Sequence, residues 1–416
     1  MRIGTQLVLG EEETQRWDRT AVCEGIRSIH RTVALDRLLV WNKLDESWMD
    51  AVTNVCHSLS IEVYAWQPVL ADPLYGAFEE DDLILTAASQ RGYGRHGIWD
   101  ALTGDNDLGE DFLFACANRE SVRKKCIEDL EATLSRAGVD GVFLDRIRYP
   151  SPANGIETLA SCACPDCARE FTERFAGPYT FPWDGDYSWA KSAVELIREA
   201  GASLSFEEAV ERLGLRDLAE FRQETVTRQV AEVSEAARRS GKKVGLDLFT
   251  PSIAALVGQS YRRLAEHGDW IKPMSYCKAL GAAGISLEMA TLATGIQSIL
   301  REHGAKIEEA EVMAFLRRVF DLDLPDSVDT LYREGVPERT VEREYRDAVE
   351  AVGGTDTEIW PGIELVNNPA FSTAISTAQC REYVEAMRDA GADWIACWNL
   401  LYIPGEYFEC IAESLH

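Results

Sequence analysis

The sequence predicts an α/β fold, a (β/α)8 TIM barrel with long insertions after strands 3, 4 and 6. Three observations carry that prediction. Short runs rich in Val, Ile, Leu and Trp recur along the chain, each is followed by a longer segment with helical spacing, and the runs number eight, as a closed barrel requires. With 416 residues and 46% hydrophobic content the chain can bury a large core, so one barrel over residues 1–416 accounts for it without a second full domain.

The eight strands are read at Arg2 to Leu9, Ala34 to Trp41, Ile61 to Pro68, Gly141 to Asp145, Lys243 to Phe249, Trp270 to Tyr276, Glu358 to Val366 and Trp394 to Leu400. Between them, Ser121 to Arg136 places Val122, Cys126, Ile127, Leu130 and Leu134 on one stripe, the mark of a helix lying on a barrel wall. Phe221 to Arg239 does the same before strand five, and a last helix from about Gly405 to Leu415 closes the ring. Three stretches exceed the usual loop length of about 4 to 6 residues. They are Asp72 to Asp111, Ser151 to about Leu215 and Cys277 to about Val341. Each follows a strand, so each belongs to the C-terminal face, where barrel enzymes build their sites.

Charge and composition narrow the partners. The chain has 42 basic and 70 acidic residues, a net charge of −28, which repels nucleic-acid phosphates and anionic membrane surfaces. A neutral partner fits better. The start of the chain shows no basic stretch followed by an apolar export segment, no apolar run reaches the roughly 18 residues that span a bilayer, and the eleven cysteines read as reduced thiols and metal ligands. A cytoplasmic location is therefore expected. A homo-oligomer is compatible with all of this, and the sequence does not choose.

Ser161 to Cys167 reads SCACPDC, three thiols in a polar loop at a spacing that suits a soft metal ion. A tetrahedron needs a fourth ligand, and Cys116, in FACANRESVR, is the best candidate because it begins the helix before strand four. Four thiolates would saturate Zn²⁺ and leave no open position, so Cys116, Cys162, Cys164 and Cys167 are expected to hold a structural zinc within the insertion at about residues 151–215. No organic cofactor is expected. Cys23, Cys56, Cys126, Cys380, Cys397 and Cys410 sit among apolar neighbours and read as core filler.

The cysteine pattern, an upstream Cys in a C-x-N-x-x-x-V-R context followed by C-x-C-x-x-C after strand four, resembles the zinc site of family 42 β-galactosidases over about a fifth of the chain. The resemblance implies a barrel with a zinc-bound loop and carries ligand roles onto the same four cysteines. The sequence departs from that family at strand four, which there ends in an Asn-Glu pair and here ends in Leu144-Asp145, so its β-galactosidase activity does not follow.

Gly138 to Pro152, GVDGVFLDRIRYPSP, is the most informative segment: an apolar strand stops at an aspartate, followed by two arginines, a tyrosine and two prolines. Period-two alternation puts Val139, Gly141, Phe143 and Asp145 on one face. If that face lines the barrel, Asp145 stands at its rim, and a buried carboxylate there must be bonded or functional. An ion pair with Arg146 or Arg148 is the plainer explanation of the same residue.

DRIRYP, from Asp145 to Pro150, also resembles a set of uncharacterised glycoside hydrolases related to the α-amylase-like barrels, whose motif is aspartate, tyrosine, isoleucine, arginine, phenylalanine, proline. Those families continue with motifs that appear here, in order, as Asp247-Leu248-Phe249, Gly258-Gln259 and Pro273-Met274-Ser275-Tyr276. The resemblance implies sugar chemistry and leaves the substrate open.

Hydrolysing a glycoside takes two carboxyl groups across the scissile bond. Glu364, in WPGIELVNNP, shares the parity of Trp360 and Gly362 and is the preferred partner of Asp145 in a retaining mechanism, with Asp247 on strand five the rival. The zinc-bearing relatives imply an acid/base role for the strand-four residue and the amylase-like relatives a nucleophile; Glu288 is an outside candidate for the acid. Sugars need aromatic platforms and polar side chains, and Gln6, Trp41, Trp66, Gln67, Arg148, Tyr276, Trp398 and Asn399 stand at strand ends. His30, His57, His96, His267 and His303 show no ligand spacing, and no nucleophile elbow, phosphate loop or dinucleotide motif appears. Two other readings stay open: a lyase or isomerase acting on a sugar acid bound by Lys272 and Arg148, and a non-catalytic carbohydrate-binding barrel.

Overall fold

A computed structural model describes residues 1–87, 89, 91, 113–136, 138–177, 179, 181, 187–199, 204–281, 283–366 and 375–415. Eight parallel strands close into a barrel: β1 (Ile3–Leu9), β2 (Leu35–Asn42), β3 (Glu62–Pro68), β4 (Gly141–Asp145), β5 (Lys243–Phe249), β6 (Trp270–Met274), β7 in two segments (Glu358–Ile359 and Gly362–Glu364) and β8 (Trp394–Cys397). Each strand pairs with the next, and β8 returns to β1 through Ile3 opposite Trp394 and Thr5 opposite Ala396.

Three strand ends fall short of expectation, strand seven at Glu364 among them. Strand six stops at Met274 and strand eight at Cys397, because the residues beyond turn out of the ladder. Strand seven, read as one run from Glu358 to Val366, is interrupted at Trp360-Pro361, since proline lacks the N–H that the ladder needs. Trp360 N–H still reaches Ile271 C=O, and the Pro361 carbonyl accepts from Ile395 N–H, so the wall stays closed across the break.

Helices Arg19–Val33, Glu46–Ser58, Glu120–Arg136, Arg216–Arg239, Thr340–Ala351 and Thr377–Ala390 lie between strands, and Gly405–Leu415 follows the last one. Their sequences state their bounds locally: Asp18 caps the first by accepting from Ala21 N–H at 2.8 Å, and Ser376 with Gln379 forms a capping box before Thr377. The insertion after β4 carries short helices at Pro165–Arg174, Tyr187–Arg198 and Phe206–Arg212, and that after β6 carries Ile285–Glu302, Glu309–Phe320 and Val328–Glu334. Among the described residues no helix is long and apolar enough to cross a membrane.

The interior is packed by alternating small and large residues. A side chain at Gly141 would strike the Tyr64 ring at 2.5 Å, and one at Gly245 would strike the Trp270 ring at 2.2 Å. These glycines admit the two aromatics, and Phe143 stacks on Trp270 with centroids 5.2 Å apart and planes 3° off parallel. The result is a solid floor beneath the strand ends.

Candidate active site and cysteine cluster

Register decides which side chains share the mouth. Gly245 lies opposite Phe143 and Leu246 opposite Leu144, so Asp145 and Asp247 stand at one level on neighbouring strands, both on the face that carries Phe143 into the interior. Asp247 in turn lies opposite Lys272. Asp145 is 9% exposed, Asp247 2% and Glu364 fully buried, so solvent and any ligand meet Asp145 first.

The Asp145 carboxyl is held by N–H donors. Trp66 Nε1 donates to Oδ2 at 2.9 Å and the Arg146 backbone N–H to Oδ1 at 2.5 Å, an arrangement that suits an acceptor-only carboxylate. Arg146 has φ +55°. Its guanidinium pairs with Asp72 at 2.9 Å and approaches Asp145 only to 4.0 Å, so the ion pair imagined for Asp145 goes mainly to another partner. Arg148 is buried between the rings of Phe114 and Phe249, at 4.7 and 4.8 Å, and burial lowers its pKa to about 10.

Asp247 Oδ1 lies 3.1 Å from the Nζ of buried Lys272. Burial pushes the Asp247 carboxyl up to about 8, with Lys272 pulling it down and Asp145 pushing it up. Glu364 has other company: Oε1 accepts from Lys278 N–H at 2.6 Å and from Tyr383 O–H at 3.1 Å, while Oε2 has no hydrogen-bond partner among the described residues. Burial pushes it up to about 7. The charged and polar groups that act on it are Lys278 and Tyr383, whereas Asp145 acts on Asp247, Arg148, Lys272 and Tyr276. Glu288 ties the insertions together, accepting from Ala153 N–H at 2.8 Å and Ala283 N–H at 2.9 Å, and burial raises its pKa.

The expected sugar contacts divide. Trp41 and Trp66 are in contact at 5.2 Å, and Tyr276 meets Trp398 edge-on at 4.7 Å. Gln6 is fully buried in β1, and neither amide atom has a partner among the described residues. The Trp41 ring carries Lys43 Nζ at 4.5 Å and Arg146 Cζ at 4.9 Å, and its Nε1 is likewise unpartnered. Gln67 is a correction: it points to the outer face, where Oε1 accepts from Thr133 of helix Glu120–Arg136 at 2.6 Å. Asn399 turns to the Val8 carbonyl and Glu13, at 3.3 and 3.4 Å. Gln259 bridges strand ends, accepting from Phe249 N–H at 2.8 Å and donating to Ile147 C=O at 3.2 Å. His96 and most of the strand-three insertion lie outside the described residues.

Sequence reasoning passed over Lys278, Tyr383 and Cys397 as site neighbours and set Lys272 only against a substrate carboxylate. Lys272 was findable, since it shares the parity of Trp270 and Met274 on β6. Tyr383 lies on a helix that follows β7, and no local pattern marks it.

At the opposite end of the barrel a cavity of about 610 Å³ is lined by Arg2, Arg37, Glu62, Lys243, Trp270 and Glu358, among others. Its charges answer one another: Arg37 pairs with Glu62 and Glu358 at 3.1 and 3.0 Å, and Lys243 with Glu62 at 2.5 Å. The mutual pairing of these charges at the N-terminal face speaks for closing the floor rather than for chemistry.

The four cysteines do meet. Cys116, Cys162, Cys164 and Cys167 are buried, with every Sγ within 4.8 Å of the others. Cys116 Sγ lies 3.7 Å from Cys164 and 3.4 Å from Cys167, against edges of about 3.8 Å for a tetrahedron with 2.3 Å metal–sulfur bonds. All four are free thiols, and N–H groups point at two of them, Asn118 Nδ2 to Cys167 at 3.1 Å and Leu85 N to Cys162 at 3.3 Å. Donor set and spacing fit a soft tetrahedral ion that braces the β4 insertion against the start of helix Glu120–Arg136.

No protein-family model matches the chain, and no curated protein does. Among solved structures the chain is similar to the PgaB (BpsB) glycoside hydrolase domain from Bordetella bronchiseptica, with TM-score 0.55 and 12% identity over 100% of this chain and 97% of that one. A class V chitinase from Pseudomonas fluorescens Pf-5 matches with TM-score 0.46 and 9% identity over 100% and 99%. The spore cortex-lytic enzyme SleL from Bacillus megaterium QM B1551 matches with 0.46 and 8% over 99% and 73%. At these identities the likeness to the first concerns the fold.

Proposed function

We propose that the protein is a retaining glycoside hydrolase in which Asp145 is the nucleophile and Asp247 the acid/base. One observation carries the reading: two carboxyls stand level on adjacent strands at the C-terminal mouth, in environments that separate their roles. Adjacent parallel strands run about 4.8 Å apart, which suits the roughly 5 to 5.5 Å carboxyl separation of retaining enzymes. Asp145 receives two N–H donors and is the more accessible; Asp247 is buried and raised to about 8, so it holds a proton at neutral pH.

In this mechanism Asp145 Oδ attacks the anomeric carbon as the bond to the leaving oxygen breaks, and that oxygen takes the Asp247 proton. Asp247, now ionised, accepts a proton from water as the water oxygen attacks the same carbon and the Asp145 ester bond breaks. Trp66 Nε1–H and Arg146 N–H hold the Asp145 carboxylate in place throughout. Trp41, Trp66, Tyr276, Trp398 and Gln6 would meet the sugar. The four cysteines would hold zinc, whose part is to brace the loop.

The unpartnered Glu364 Oε2 supports a second reading, the Asp145–Glu364 pair preferred from sequence. Its bonds to Lys278 and Tyr383 count against it. Lys272 lies behind Asp247 and Tyr276, which disfavours a sugar-acid lyase using it on substrate. Aryl glycosides of several sugars test the proposal: aglycone release by wild type, lost by at least about 10² in Asp145→Asn with the fold intact, supports it. Full activity in that variant refutes it.

A further inference from the structure

Lys272 is completely buried inside the barrel wall. Its Nζ donates to Tyr276 Oη at 2.8 Å, lies 3.1 Å from Asp247 Oδ1 and 3.9 Å from Cys397 Sγ, and sits over the Phe143 ring at 5.3 Å. An ammonium taken out of water costs several kcal/mol unless an opposite charge answers it. The titratable and charged groups around it come from every neighbouring strand: Asp247 on β5, Asp145 on β4, Tyr276 just past β6 and Cys397 on β8. Arg148, from the turn after β4, acts on Asp247, and Glu364 on β7 acts on Cys397. Burial keeps Cys397, at about 11, and Tyr276 neutral at physiological pH. Arg146 pairs with Asp72 at 2.9 Å and Arg148 answers Glu288 before either aspartate, which leaves Lys272 as the cation in contact with Asp247.

We propose that Lys272 is a positioning residue that leaves one proton between Asp145 and Asp247: its charge balances a single carboxylate, so the other carboxyl stays protonated. The two N–H donors at Asp145 select it as the ionised member, and the proton rests on Asp247. This inference rests on the two-carboxylate reading above and explains how that reading obtains an acid and a nucleophile from two aspartates. Like charges at such separation do not both ionise readily, and the buried cation sets how far the pair can go. The directions agree: burial and Asp145 push Asp247 up while Lys272 pulls it down, and Lys272 is itself raised by Asp247 despite its own burial.

Difference-infrared titration of the substrate-free protein tests it. The protonated-carboxyl band that is missing in Asp247→Asn is the Asp247 band, expected to titrate near pH 8 in wild type. Lys272→Met should move that band up by more than about one pH unit, and Lys272→Arg should leave it near wild type. Asp145→Asn provides a second perturbation should the methionine variant not fold, because the cation then answers Asp247 alone and the band should move down by a similar amount. A Lys272→Met protein that is folded and whose band titrates like wild type overturns the proposal, as does an unmoved band in Asp145→Asn. Failure of the underlying reading looks different: hydrolysis of aryl glycosides would survive in Asp145→Asn, whatever the infrared bands do. On an aryl glycoside that is turned over, Lys272→Met should also shift the basic limb of kcat/KM upward, which a purely structural loss would not do.

Discussion

Replacing Glu364 by Gln separates the two candidate pairings and reports on stability at the same time. Burial raises this carboxyl from 4.5 to about 7, a difference of about 2.5 units, and at about 1.36 kcal/mol per unit that is about 3 kcal/mol. The sign follows from proton counting. Between pH 4.5 and 7 the folded chain holds a proton at Glu364 that the unfolded chain has released, so stability falls as pH rises through that window. The Gln variant does not titrate there and keeps the oxygen that accepts from Lys278 N–H and Tyr383 O–H. Urea unfolding of both proteins at pH 4, 6 and 8 should show the gap move by about 3 kcal/mol in favour of the variant across the range. Any constant cost of the new amide hydrogens cancels in that comparison. Stability curves that stay parallel from pH 4 to 8 would refute the burial argument, and a loss of hydrolysis as large as that in Asp145→Asn would restore Glu364 as the partner.

Two further outcomes are expected. Metal analysis of purified protein should find about one zinc per chain, and Cys164→Ser should lower both metal content and thermal stability; a folded, metal-free protein indifferent to that substitution would remove the site. Asp247→Asn should lower kcat on an activated aryl glycoside by about 10² to 10⁴, with less loss for better leaving groups, and a rate near wild type would take the acid role from it.

How much of this was legible in the sequence depended on how far local rules reach. An apolar run that stops at a charged residue located Asp145, because a parallel barrel strand is buried on both faces until it reaches the mouth, while Asp247, inside the strand Lys243–Phe249, was marked by the resemblance motif Asp247-Leu248-Phe249. Parity carried the argument along unbroken strands and failed where a strand broke. Trp360 lies at the floor beside Trp270, at 6.5 Å, but Pro361 interrupts β7, so the inward placement of Trp360 did not fix what the Glu364 carboxyl would meet. Gln67 was avoidable: neighbours in a strand face opposite ways, so Trp66 and Gln67 do not share the cavity. The C-x-C-x-x-C spacing showed three members of the cysteine cluster, and Cys116 joined them because its segment leads into the helix before β4. What stayed hidden was partnership across elements, such as Lys278 and Tyr383 around Glu364, which depends on how loops and helices dock after the strands are set.

In the proposed mechanism Asp145 forms a covalent bond to the sugar. Incubating the protein with a fluorinated analogue of whichever aryl glycoside it hydrolyses, then mapping the label by peptide mass spectrometry, tests that bond directly. One glycosyl adduct per chain is expected, on the peptide carrying Asp145 and absent from Asp145→Asn; an adduct on Asp247 or Glu364, or steady hydrolysis of the analogue with inverted configuration and no adduct, would rule out Asp145 as the nucleophile.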